Sequence, residues 1–247
     1  MTRALRLVGE RGRLAAGILL FATLAACLAS HGYRSVPRPH ALEELSYYPS
    51  GQFLRPATFG HAETAADLAW LRAVQYYGEH RHTDNRFTRM AHVFDILTSL
   101  APRFGAAYVF GAFALAQEGR DFRQAEALLL KGIEENPTDA NLAFQLGFLY
   151  YVRPGGRELR RAAEYFERAA RLPNGPPAAA RFAAFSRQNS GDLAVAYALW
   201  SDVRQHSPNA YLRDIADREM ERIRGALERG RRELAMRRLP TPVVRVE

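Results

Sequence analysis

The chain has 247 residues, 48% hydrophobic and 24% charged, a balance that excludes both a disordered polymer and a protein crossing a membrane many times. Its formal charge is +8, yet the arginines interleave with acids, as in RDIADREMERIRGALERGRRELAMRR. They read as solvated helix faces, so nucleic acid is not an expected partner, and Cys27, the single cysteine, excludes an internal disulfide or a cysteine-based zinc site.

Residues 1–30 read as an export signal or membrane anchor. MTRALRLVGERGR carries four arginines and one glutamate, and an uncharged run of 17 residues follows from Leu14 to Ser30. A spanning helix needs roughly 20 residues, so this run sits at the short limit. Within it, Leu24-Ala25-Ala26-Cys27 resembles the lipobox of bacterial lipoproteins. The resemblance implies a diacylglyceryl group on the Cys27 thiol, cleavage before the cysteine and acylation of the new amino terminus. Acyl chains add about 0.8 kcal/mol of anchoring per buried methylene. The alternatives are an uncleaved signal anchor from Leu14 to Tyr33, with Cys27 as a small hydrophobe, and a cleaved soluble product. All three leave the rest of the chain facing the bacterial periplasm, because the arginine head stays inside.

Residues 31–60 are a tether and lead-in. HGYRSVPRPH has no helical or strand period, and ALEELSYYPSGQFLRPATFGH mixes aromatics with the turn signal Pro49-Ser50-Gly51. From His61 onward apolar residues recur at helical spacing with no sustained strand alternation, which predicts an all-α fold. The first unit offers Trp70 and Tyr77 on one helix, then the polar loop GEHRHTDNR, then a second helix. Four prolines, Pro102, Pro137, Pro173 and Pro208, fall 35, 36 and 35 residues apart. Ahead of them stand Met90-Phe94-Leu97, Ala125-Leu129-Gly132, Ala162-Phe166-Ala169 and Ala196-Trp200-Val203, each spaced by four and then three residues. That spacing puts each trio on one helix face.

This arrangement resembles the tetratricopeptide repeat, a helix–turn–helix unit of about 34 residues. The copy with Leu146-Gly147-x-x-Tyr150, Ala162, Phe166, Ala169 and Pro173 carries the resemblance best. The next has the turn Gly191-Asp192 but a first helix, AAARFAAFSR, without the Leu-Gly pair. The preceding copy has Tyr108, Gly111 and a turn at Gly119–Asp121. The resemblance implies an α-solenoid of about four hairpins over residues 61–208. A capping helix and tail follow over residues 209–247. Asn209 is the cap, and Leu212, Ala216, Met220, Ile223 and Leu227 form the inner stripe up to about Met236. Pro240 and Pro242 mark a loose tail.

Gly-x-Ser-x-Gly, Gly-x-x-x-x-Gly-Lys and His-Glu-x-x-His motifs are absent from the sequence, so neither an enzyme nor a cofactor is expected. The nearest approach to chemistry is His80, His82, Asp84 and His92, whose side chains are zinc-ligand types. In a polar inter-helix loop they read as solvated. In the repeat family the first helices line a concave groove for extended or helical peptides. By register, the resemblance places Tyr108, Asn141, Phe144, Phe148, Tyr151, Arg181, Phe185 and Gln188 there, rings giving area and polar groups fixing register. The expectation is a non-catalytic, membrane-tethered scaffold or adaptor for a protein partner, with partner and oligomeric state left open. Its rivals are a metal-dependent accessory or enzyme using the His80–His92 loop, and an assembly subunit that works through its C-terminal helix.

Overall fold

The computed structural model describes residues 17–28, 30–31 and 50–237, and the chain divides into two compact units, Met1–Tyr47 and Tyr48–Glu247. The arginine head, most of the tether and the tail with Pro240 and Pro242 lie outside the described residues. In the first unit residues 17–28 are helical, with Ile18, Leu19, Leu20, Phe21, Leu24 and Leu28 exposed. Among the described residues no helix is long and apolar enough to cross a membrane.

The described part of the second unit is built from helices alone. In chain order they are α1 (Gly51–Ala57), α2 (Ala62–His82), α3 (Met90–Leu100), α4 (Gly105–Gln117), α5 (Phe122–Glu135), α6 (Ala140–Tyr151), α7 (Leu159–Arg171), α8 (Ala179–Asn189), α9 (Leu193–His206) and α10 (Ala210–Arg237). The main contacts of each helix are with helices one or two positions away along the chain. Each of α2 to α9 meets the next, α1 meets α3, α3 meets α5, and α4 meets α6.

Local chemistry sets the ends of these rods. Helices α3, α5, α7 and α9 stop at Leu100, Glu135, Arg171 and His206, and the four phased prolines each stand two residues further on. Proline lacks the N–H for another turn and steers its predecessor to extended backbone. Accordingly Ala101, Asn136, Leu172 and Ser207 have ψ of 77, 67, 147 and 127°. At the starts, the Asp121 carboxylate accepts from the Gln124 amide and that of Asp139 from the Asn141 and Leu142 amides. Asn209 accepts from the Tyr211 amide, so the predicted cap of α10 is formed.

All twelve residues of the four periodic trios are buried. Each large one contributes about 1.5–3 kcal/mol of transfer free energy. Glycine lets the rods approach: a Cβ on Gly147 would lie 2.9 Å from the Phe166 ring, and one on Gly132 would lie 2.8 Å from the Tyr108 ring. Polar bonds then fix the stagger between neighbours. The Lys131 ammonium donates to Asp95, Thr98 and Ser99 at 2.9, 3.0 and 3.0 Å, tying α5 to α3. Arg187 on α8 holds Glu167 on α7 at 2.6 Å and Asp192 at 3.2 Å. In the C-terminal stripe Ala216 and Ile223 are buried, with Ile215, Met220 and Leu227 packed beside them.

Two expectations need correction. The segment GEHRHTDNR is not all loop, because α2 continues through His82. Its last turn is held by ring packing, with His80 against Tyr76 at 4.7 Å and Phe87 at 6.1 Å. Of the signal Pro49-Ser50-Gly51, Pro49 lies outside the described residues, and Ser50-Gly51 open helix α1 instead of a turn. Gly51 is needed there for close approach: a Cβ would come 2.8 Å from the Ile96 Cα on α3.

Candidate functional site

A line of rings runs along the first helix of each hairpin. Trp70 of α2 meets Phe110 of α4 edge-on at 5.6 Å, and Tyr77 meets the same ring at 5.2 Å. Phe113 of α4 meets Phe148 of α6 at 6.1 Å. On α6, Phe144, Phe148 and Tyr151 all meet Phe182 of α8, at 5.8, 6.2 and 5.5 Å, and Tyr151 reaches Phe185 at 6.1 Å. Most of these rings are half-buried and Phe185 is 37% exposed, so the line is neither core nor free surface. Edge-to-face packing holds each ring in place and adds about 0.5–1.5 kcal/mol per pair beyond area burial. Guanidinium groups border it: Arg157 lies over Tyr151 at 5.2 Å and Arg181 over Phe182 at 5.3 Å.

The line therefore gathers Phe144, Phe148, Tyr151, Arg181 and Phe185 from the expected set. Asn141 is exposed at the start of α6, and its side-chain oxygen accepts from Gln145 at 3.3 Å. Gln188 has a different job: it accepts from the Trp200 indole and donates to Glu219, both at 2.7 Å, joining α8 to α9 and α10. Tyr108 must be withdrawn from the surface. It is fully buried, its hydroxyl donates to the Pro102 carbonyl at 3.1 Å, and burial pushes its pKa up to about 12. Sequence reasoning also missed Phe110, Phe113 and Phe182. The repeat itself held the signal, since Phe113, Phe148 and Phe182 are 35 and 34 residues apart.

The histidine segment is arranged around packing. His80 is 5% exposed, its Nδ1 is bonded to Asp84, and its Nε2 has no hydrogen-bond partner among the described residues. The Asp84 carboxyl is held below the usual carboxylate range by the Arg86 amide and then by His80. His82 is exposed and His92 half-buried. Among the described residues no group of three or more His, Cys, Asp or Glu side chains is placed to hold a metal ion. An open cleft of about 1140 Å³ between the starts of α2 and α4 carries both signs of charge, with Arg55, Asp67, Arg103 and Glu135 on its walls. In the first unit Cys27 is exposed.

No family model matches the chain, and no curated protein matches it.

Proposed function

We propose that the chain is a non-catalytic adaptor of the tetratricopeptide type, an α-solenoid tethered at a bacterial envelope membrane with a lipid on Cys27. Along its ring line it grips an extended or helical segment of a protein partner. The solenoid reading is supported by helices that touch mainly their near neighbours in the chain and by prolines two residues past every second helix from α3 to α9. The exposed Cys27 beside Leu24, Leu28 and other exposed apolar side chains supports the anchor.

The observation that carries the binding reading is the half-buried ring line from Trp70 to Phe185, bordered by Arg157 and Arg181. Fixed aromatic rings offer contact area at little entropy cost, and a polar border sets register.

Photo-crosslinking tests it. A benzophenone side chain at Phe185 in the full chain, expressed in its host, should yield a discrete adduct that Phe148→Ala/Tyr151→Ala abolishes. Adducts formed only from Tyr211, which is exposed on α10, would overturn the ring-line reading in favour of the C-terminal helix. Loss of Cys27→Ser from the membrane fraction tests the anchor separately.

A further inference from the structure

The outward face of α2 carries Leu68, Leu71 and Val74, which are 62, 58 and 42% exposed. At 100° per residue Leu71 stands at the centre of this face, with Leu68 and Val74 about 60° to either side. It lies opposite the buried residues Ala66, Ala73, Tyr76 and His80. Gly78 shares the outward face, about 20° from Leu71. A glycine inside a helix costs about 0.5–1 kcal/mol relative to alanine, yet a Cβ there would meet nothing within 4 Å. Among the described residues nothing requires Gly78 to be small.

We propose that α2 is a self-association helix, and that its occupant is the α2 of a second copy, antiparallel about a two-fold axis beside Leu71. In that pairing residues whose numbers sum to 142 face each other: Leu71 meets Leu71, Leu68 meets Val74, and Thr64 meets Gly78, where the missing side chain admits the neighbour. On one flank the charges agree with this register, while on the other the exposed Arg72 stands beside its own copy. Glu63 and Asp67 are exposed on one flank of the first turns, and Arg81 is exposed on the same flank of the last turn. A two-fold axis perpendicular to the helices keeps like flanks together. It brings Glu63, about 12 Å before Leu71, to within a turn of the second copy's Arg81, about 15 Å after its own Leu71. Arg81 also bonds Glu118 at 3.1 Å with its side chain 53% exposed, so it is positioned and still accessible. A contact through one helix face falls below about 1,200 Å², the class of weak, concentration-dependent interfaces. The proposal does not depend on the ring line.

Cysteine crosslinking of the full chain in detergent tests the proposal, with the unsubstituted chain showing what Cys27 contributes. Leu71→Cys should form a covalent dimer under mild oxidation. The pair Thr64→Cys/Gly78→Cys should do so as well, and Ala194→Cys on α9 should not exceed the unsubstituted chain. Leu71→Glu, a change on an exposed position, should keep the helical circular dichroism and melting temperature while raising the dimer dissociation constant about tenfold or more by light scattering. Glu63→Arg should weaken the dimer and Glu63→Arg/Arg81→Glu should recover it. Equal crosslinking of Leu71→Cys and Ala194→Cys would overturn the proposal. So would a monomer whose Leu71→Cys thiol is shielded from maleimide only when lipid vesicles are added, which would assign the face to a membrane surface.

Discussion

The hairpins α2–α3 and α6–α7 share one plan and differ in what lies around their first helices. Helix α6 starts on the Asp139 cap, has Gly147 pressed on Phe166, and is touched by rings from both α4 and α8. Helix α2 starts at His61 without a side-chain cap and turns Leu68, Leu71 and Val74 outward. Helical period alone does not decide which apolar residues are buried. A neighbour on each side decides it: α2 has α3 as its main neighbour and meets α4 through Trp70 and Tyr77, while Leu68, Leu71 and Val74 stay exposed.

The sharpest way to break this contrast is to truncate a side chain in each hairpin. Phe166→Ala should cost about 3–5 kcal/mol in denaturant unfolding, because the transfer term and the cavity term add. Leu71→Ala, measured at dilutions where the chain is monomeric, should stay within about 0.5 kcal/mol. A Leu71→Ala effect comparable to that of Phe166→Ala would show that the α2 face is core.

The two glycines should respond with opposite signs. Gly147→Ala forces the added methyl against Phe166 and should destabilise by about 1–3 kcal/mol. Gly78→Ala has open space and should stabilise the dilute monomer by about 0.5–1 kcal/mol through helix propensity. Thermal melts of both variants give the answer directly.

Alkali should act on the packed middle of the chain. The pKa of Tyr108 is raised from 10.0 to about 12, so the folded state holds its proton longer than the unfolded one. Its stabilising contribution is complete below pH 10 and is lost as pH climbs from 10 toward 12. Tyr108→Phe should flatten the fall of the denaturation midpoint over that window, at a cost of about 0.5–1.5 kcal/mol near neutrality for the lost hydrogen bond.

Caps give a smaller test. Asp139→Ala should cost about 1 kcal/mol, while a comparable change at His61, which makes no side-chain cap, should cost almost nothing. The most local effect concerns acid. Asp84 has a lowered pKa, so its contribution is present above the ordinary carboxylate value of 3.8 and is lost as pH falls through the lowered one. The Arg86 amide, which donates to Asp84 at 3.0 Å, should lose protection relative to its intrinsic exchange rate as pH falls below 3.8, and Asp84→Asn should remove that acid dependence.

What the sequence made legible was governed by short-range chemistry. Prolines two residues beyond α3, α5, α7 and α9, the Asn209 cap and the buried trios all follow from rules that act within one or two turns. The misreadings arose where tertiary neighbours decide. Histidines and charges made GEHRHTDNR look like loop, but Tyr76 and Phe87 bury His80 and carry the helix on to His82. Gly51 looked like a turn residue, because its role is to meet Ile96 on a helix 45 residues away. Tyr108 was expected on the groove and faces inward, while Phe110 and Phe113, two and five positions on, carry the ring line. A helix turns 100° per residue, so a small error in register exchanges a wall residue for a surface one.

Lys131 has a chemical consequence of its own. It is the single lysine among 247 residues, so amine-directed reagents find one side-chain target in the whole chain. That target is the bolt between α5 and α3, and acylating it would free Asp95, Thr98 and Ser99 from their shared donor. Labelling through amines would thus loosen the very stagger it was meant to report, and handles for surface coupling belong on introduced thiols.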